Sequence, residues 1–265
     1  MTDFDLIVRR FEKNEDIHIY PIADVHLGAQ ECLMGEWKQF CEDILKDPNA
    51  YVVLVGDLIN NSTRHSIGAG VYTDIYSPRE QKKRMADALT PLKDRILACV
   101  AGNHERRSAK EVDDDAMADI LCLCKLDLED VYRENMAFLK LQFGEAGHNR
   151  DGRFNPTYVL AVTHGAGGGM LTGGSVNRFE RFSYILSGID ALIAGHNHKP
   201  FVTQPARLVV DPFNNKVKVV PFKVLSCSSW LEYGGYAMQK MLLPSSHALQ
   251  MMTLRGKKKE IRVEM

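Results

Sequence analysis

Short apolar runs alternate along this chain with stretches in which apolar residues recur every three or four positions. Ile17 to Ile22, Tyr51 to Val55 and Ile96 to Ala101 read as strands, while Cys32 to Leu45 and Arg79 to Leu92 between them carry the helical period, so the amino-terminal part predicts a βαβαβ unit. A helix over Ala116 to Cys124, strands over Phe138 to Phe143 and Tyr158 to Thr163, a helix over Arg178 to Leu186 and a strand over Ala191 to Ala194 continue the alternation. Beyond Pro200 the pattern changes to short β-rich pieces at Arg207 to Val210, Val217 to Val220, Lys223 to Ser226 and Lys259 to Val263, with Asp211 to Asn215 as a hairpin turn. A second sheet packed on the first is the simplest outcome, and the late pieces are expected to supply much of it.

The 265 residues contain no linker-like tract and no internal repeat, so a single domain over residues 1–265 is expected. No apolar run approaches the ~18–20 residues of a membrane helix, and the acidic start from Met1 to Asp5 is unlike a secretory signal. The six cysteines lack paired zinc-ribbon spacing and lie mostly in apolar segments, where a reduced thiol behaves as a small hydrophobe. Together these features predict a cytoplasmic protein with no membrane attachment. A net charge of −1 withholds the global basic footprint of a tight nucleic-acid binder, while leaving room for local patches.

The strongest chemical signal is where polar residues fall relative to the strands. The three strands of the first unit end in Asp24-Val25-His26, Gly56-Asp57 and Gly102-Asn103-His104-Glu105, and two later strands end in Thr163-His164-Gly165 and Gly195-His196-Asn197-His198. In open α/β sheets the ligand crevice lies outside the carboxyl ends of the strands, so these residues are expected to converge. Carboxylates, an amide oxygen and several imidazoles are the donors that two divalent ions about 3.5–4 Å apart require, with one carboxylate shared. Asp24 and His26 alternate across one residue and can aim at one ion, to which His198 can return. Asp57 is the candidate bridge, because a carboxylate offers two lone-pair oxygens and an amide only one. Asn103, His164 and His196 fill out the second ion without adding negative charge. The glycine-rich run from Gly165 to Gly174 directly follows His164 and is expected to border the site.

In these five ordered blocks, between Asp24 and His198, the sequence resembles the calcineurin-like metallophosphoesterase superfamily, whose signature is DxH, GD, GNH followed by an acidic residue, HG and GHxH. The resemblance implies an α/β, four-layer metallophosphoesterase fold, a two-sheet β sandwich flanked by helices. It implies that Asp24, His26, Asp57 and His198 hold one metal and Asp57, Asn103, His164 and His196 the other. His104 is not a ligand in that pattern; it would lie beside the substrate phosphate and protonate the leaving oxygen after attack by a hydroxide bridging the ions. The mixed oxygen and imidazole donors suit Mn²⁺ first, with iron or Zn²⁺ as alternatives.

Asn60, Asn61, Arg64 and His65, just beyond Asp57, are candidates to reach the phosphate or steady a ligand, whereas Arg106 and Arg107 read more naturally as a solvated helix entry. Tyr72, Tyr76, Trp230 and Tyr233 are candidates to stack on a base, with core packing as the ordinary alternative. The expected activity is hydrolysis of phosphodiesters, in nucleic acid or nucleotides. A monoesterase acting on phosphoproteins or small metabolites is the alternative, and a non-catalytic scaffold of the same fold, binding protein partners, is an alternative of another class. The layout is similar to SbcD-type nucleases and to compact bacterial or phage phosphoesterases, and the coiled-coil ATPase partnership that those nucleases make through a C-terminal extension is not expected here.

Overall fold

The computed structural model describes residues 4–66, 70–144 and 155–265; the first three residues of the acidic start lie outside them. Among the described residues thirteen strands follow one another: β1 (Ile7–Phe11), β2 (Ile17–Ile22), β3 (Ala50–Leu54), β4 (Ile96–Cys99), β5 (Met136–Phe143), β6 (Thr157–Thr163), β7 (Ala191–Ala194), β8 (Phe201–Thr203), β9 (Ala206–Asp211), β10 (Lys216–Pro221), β11 (Lys223–Ser226), β12 (Met251–Leu254) and β13 (Ile261–Glu264). The helices are α1 (Met34–Lys46), α2 (Gly70–Thr73), α3 (Pro78–Leu89), α4 (Arg106–Val112), α5 (Ala116–Leu123), α6 (Leu128–Val131), α7 (Thr172–Ser183) and α8 (Gly235–Gln239).

Two sheets carry the architecture. One has the order β13-β12-β2-β3-β4 and the other β1-β5-β6-β7-β11-β8. Ile19, Val53 and Leu97 of the first sheet bury against Leu139, Leu160, Ile193 and Leu225 of the second, which is the apolar interior of a sandwich. The opposite face of the first sheet, through Ile22, Val52 and Leu54, packs on Trp37 and Phe40 of α1, Met85 and Leu89 of α3 and Ile120 of α5. On the outer face of the second sheet, Ala161, Leu192 and Val224 pack on Phe179 of α7. Helices, sheet, sheet and helix make the four layers expected.

Local sequence explains the elements. In α1 the buried Trp37, Phe40, Cys41 and Ile44 recur at helical spacing and form one apolar stripe. Helix α3 starts where the Ser77 hydroxyl accepts from Glu80 N and Pro78 occupies the first turn. Strand β5 alternates buried and half-buried residues along its length, as a strand facing an interior must.

The late pieces supply only part of the second sheet. Among them β11 pairs with β7 there, but β12 and β13 extend the first sheet beside β2. Strands β9 and β10 form a separate antiparallel hairpin about the expected turn, with Leu208, Val210, Val217 and Val219 exposed. The second sheet is completed by β8, also beyond Pro200 and paired with β11, and by β1, parallel to β5. None of the helices among the described residues is long and apolar enough to cross a membrane.

Candidate metal centre

Strands β2, β3 and β4 run parallel, as do β6 and β7, so the loops that follow them leave the sandwich at common ends. Backbone bonds continue beyond the strands: Asp24 N donates to Gly56 O, His26 N to Asp57 O and Gly195 N to His164 O, each at 3.0 Å. The loops then turn sharply. Asp24, His26, Asp57, His196 and His198 all sit at positive φ, from 49° to 71°, a region that non-glycine residues occupy at some cost and that clusters at functional sites. Gly102 is required by close approach: a Cβ there would stand 2.0 Å from Asp57 Oδ1 and 2.3 Å from Asp57 N.

The side chains gather into overlapping donor groups. Asp24, His26 and His198 form one, and Asp57, His164 and His196 another; His26, Asp57 and His104 also lie together, between the two. In the first, His198 Nε2 lies 3.2 Å from Asp24 Oδ1 and 3.2 Å from His26 Nε2. In the second, His164 Nε2 lies 3.2 Å from Asp57 Oδ2 and 3.2 Å from His196 Nδ1. Asn103 Oδ1 joins that group, 3.0 Å from His164 Nε2 and 2.7 Å from His196 Nδ1. Asp57 Oδ2 faces both sides, since His26 Nε2 is 4.0 Å away and His104 Nε2 3.8 Å.

These atoms fit divalent cations on two grounds. Asp24 Oδ1 is buried and makes no hydrogen bond, although His198 Nε2 stands 3.2 Å away, a cost that a cation bound between the two removes. His164 Nδ1 donates to Val55 O at 2.8 Å, so its Nε2 is the nitrogen turned to the cluster, the outer-shell arrangement that fixes a ligating imidazole. Electrostatics without metal point the same way. Burial opposes charge on His164, but the Asp57 carboxylate outweighs it and the pKa is raised to about 9. Burial likewise opposes charge on Asp57, yet the His104 and His164 imidazoles beside it hold its carboxyl well below the usual range.

Glu105 received no role from the sequence beyond closing its block. It is 1% exposed, and its carboxylate accepts from the backbone N–H groups of Asp57 and Gly102 at 2.8 Å, Leu58 at 2.7 Å and Ile59 at 3.3 Å. Burial first, then the Asp57 charge, raise its pKa to about 7 against the pull of those donors. An acidic residue three positions after a loop glycine was the available signal; its partners Asp57, Leu58 and Ile59, 46–48 residues earlier, were not.

The remaining expected contacts divide. Asn60 keeps its side chain on Asp74 Oδ1 at 2.7 Å and Ser62 Oγ at 3.1 Å, and it is the Asn60 carbonyl that meets the site, accepting from His104 Nδ1 at 2.8 Å. Buried Asn61 donates its amide to His104 O at 2.9 Å and Ser108 Oγ at 3.0 Å. Arg64 and His65 lie in an exposed turn, with His65 Nδ1 3.1 Å from Glu111 Oε1, and the structure does not bring them into the donor groups. Arg107 is no solvated helix entry: its Nη2 donates to His104 Nε2 at 2.8 Å. Trp230 is not a stacking platform. It is buried against Trp37 and Phe40, and its backbone N–H donates to Asp24 O at 3.0 Å. Tyr76 lies under the Arg84 guanidinium, whereas Tyr72 and Tyr233 are exposed.

Residues 17–200 match the family model of the calcineurin-like phosphoesterases, well over half of the chain. The chain belongs to that family. Phosphoester hydrolysis with divalent metals is the family's chemistry, and this phosphoesterase presents His and Asp groups able to hold them. Among curated proteins, it is 27% identical over 140 residues to a DNA polymerase II small subunit from Thermoplasma acidophilum, an alignment covering 48% of this chain and 26% of that relative's length. Among solved structures, similarity extends over 94% of this chain and 88% of a conserved uncharacterized protein from Streptococcus pneumoniae, at 13% identity and a TM-score of 0.39. It covers 96% of this chain and 50% of the NAD nucleotidase of Haemophilus influenzae, at 11% identity and a TM-score of 0.42. For a metallophosphoesterase from Sphaerobacter thermophilus the coverage is 90% and 83%, with 13% identity and a TM-score of 0.37.

Proposed function

We propose that this phosphoesterase cleaves phosphodiesters, in nucleic acid or nucleotides, at a centre of two divalent ions, with Mn²⁺ the preferred metal. The observation that carries the reading is Asp57 Oδ2, one carboxylate oxygen 4.0 Å from His26 Nε2 of one donor group and 3.2 Å from His164 Nε2 of the other, with His104 Nε2 3.8 Å away. Asp24, His26, Asp57 and His198 are the ligands of one ion, and Asp57, Asn103, His164 and His196 those of the other. When bound, such a pair acts as a Lewis acid on phosphoryl oxygens and lowers the pKa of water.

The chain's own groups set the geometry around that chemistry. Val55 O orients His164, Glu105 fixes the backbone on which Asp57 stands, and Asn61 ties the His104 backbone to α4. His104 keeps Nδ1–H on Asn60 O and turns Nε2 toward Asp57 Oδ2. That Nε2 accepts from Arg107 here; once released from Arg107 and protonated it would lie beside a leaving oxygen, which is the position of a general acid. Asp24, His26, Asp57 and His164 are buried, but Asn103 is exposed and His196 and His198 half-buried, so the site opens to solvent on their side. An extended diester reaches such an open site without the enclosed pocket that a small metabolite favours.

The test is hydrolysis of bis-p-nitrophenyl phosphate and p-nitrophenyl phosphate, with single-stranded and duplex DNA alongside, in added Mn²⁺. The expected result is metal-dependent release that EDTA and Asp57→Asn abolish, with a higher kcat/KM on the diester. Absence of metal-dependent release from every substrate would identify a scaffold instead, and a higher kcat/KM on the monoester would move the substrate class to monoesters.

A further inference from the structure

Arg107 reaches this site without belonging to either donor group. From the first turn of α4, its Nη1 donates to Asn60 O at 2.8 Å and its Nη2 to His104 Nε2 at 2.8 Å. His104 Nδ1 donates to the same Asn60 carbonyl at 2.8 Å, so guanidinium and imidazole stand side by side on one oxygen. Because a carbonyl only accepts, the imidazole proton is at Nδ1, and Nε2 is a lone pair served by Arg107.

The guanidinium is partly buried and keeps donors to spare. It has five N–H groups in a planar fork, and the Asn60 and His104 contacts engage two. No carboxylate among the described residues pairs with it; Asp57, Asp74 and Glu105 favour its charge only through space. Its neighbour Arg106 differs in this respect, being committed to Glu134 O at 2.7 Å and the Glu134 carboxylate at 3.8 Å. A part-buried fork without a counter-ion, beside the imidazole that faces the leaving group, is complementary to an anionic phosphate oxygen.

We infer that Arg107 is a specificity-determining residue that takes an anionic phosphate oxygen beyond those facing the two donor groups, exchanging His104 Nε2 for that oxygen when substrate enters. Such an oxygen is supplied by the second charge of a phosphomonoester or by the neighbouring phosphate of a nucleic-acid strand. An isolated diester with a single charge supplies neither. The inference rests on the phosphoesterase reading of the site and specifies the charge that its substrate carries.

The experiment compares wild type, Arg107→Ala and Arg107→Lys, each loaded with Mn²⁺. The substrates are bis-p-nitrophenyl phosphate, with one charge; p-nitrophenyl phosphate, with a second charge on the same phosphorus; and the 3′-p-nitrophenyl ester of thymidine 3′,5′-bisphosphate, with a neighbouring phosphate. A charge-assisted hydrogen bond corresponds to about a 10–100-fold effect. Arg107→Ala is expected to lose kcat/KM by that factor more on one of the two substrates with additional phosphate charge than on the singly charged diester, chiefly through KM, with Arg107→Lys recovering part. Which of those two substrates responds identifies the source of the oxygen. Equal losses on all three substrates, or losses confined to kcat, overturn the inference and leave Arg107 as a support for His104.

Should no substrate be turned over, calorimetric binding of inorganic phosphate and of thymidine 3′,5′-bisphosphate to the Mn²⁺-loaded proteins decides the matter. A 10–100-fold weaker affinity of Arg107→Ala for either anion upholds the inference even though the phosphoesterase reading has failed. Unchanged affinity for both overturns it.

Discussion

Glu105 Oε2 accepts from the backbone N–H groups of Asp57 and Gly102, both at 2.8 Å, so one carboxylate oxygen joins the loop after β3 to the loop after β4. With Oε1 on Leu58 and Ile59, the same side chain satisfies four backbone donors in a buried position. Glu105→Ala strands those donors. The expected loss is about 3–4 kcal/mol in the urea unfolding of metal-free protein, large for one substitution because several buried groups lose their partner together. Glu105→Gln keeps an acceptor and should lose less; a loss below about 1 kcal/mol for Glu105→Ala would show that the loops hold without it.

Gly102→Ala tests the same joint from the other side. The added Cβ would stand 2.0 Å from Asp57 Oδ1, so the shared carboxylate must move while the rest of the chain stays intact. Mn²⁺ affinity should fall at least about 10-fold, as for other changes that misplace a ligand, with secondary structure unchanged by circular dichroism. Calorimetric titration returning wild-type affinity would mean that Asp57 tolerates displacement.

Much of this arrangement is legible in the sequence because its signals are local. Asp24, Asp57, Asn103, His164, His196 and His198 each follow an apolar run that could only be a buried strand, and parallel strands place such residues at one end of a sheet. What escaped was decided elsewhere in the chain. Strand β12 lies beside β2, with β13 outside it, rather than in the second sheet, a choice of neighbour made across more than two hundred residues that their own sequences do not encode. The β1 segment IVRRF buries only Ile7 fully and has no alternation long enough to mark it. Trp230 looked available among small residues, yet its partners Trp37 and Phe40 come from α1. Arg107 and Glu105 acquire their roles from Asn60 O and Asp57 N, which no spacing near residue 105 reveals.

Metal uptake should release protons. In the metal-free protein the Asp57 carboxylate, 3.2 Å from His164 Nε2, overcomes burial and keeps the His164 pKa at about 9, above its ordinary 6.5. The stabilisation from this pair is therefore fully present below about pH 6.5 and lost as pH rises through about 9. Ligation needs a neutral imidazole, so binding at pH 7.5 must expel that proton. Calorimetry in buffers of different ionisation enthalpy should report about one proton or more released for this reason; a buffer-independent heat would contradict it.

His104→Ala separates binding from chemistry. Its Nε2 lies 3.8 Å from the shared oxygen and is already engaged by Arg107, so removing the ring should leave metal content unchanged. Turnover should fall by ~10²–10⁴-fold, the usual contribution of a positioned acid. Full activity in this variant would remove His104 from the reaction.

The most direct test counts metal. Protein stripped with EDTA, reconstituted with Mn²⁺ and freed of excess should carry two ions per chain by elemental analysis, and Asp57→Asn, which replaces the shared carboxylate, should carry fewer than two. Wild-type protein that emerges without metal, or Asp57→Asn that still holds both ions, would contradict a centre built on that one oxygen.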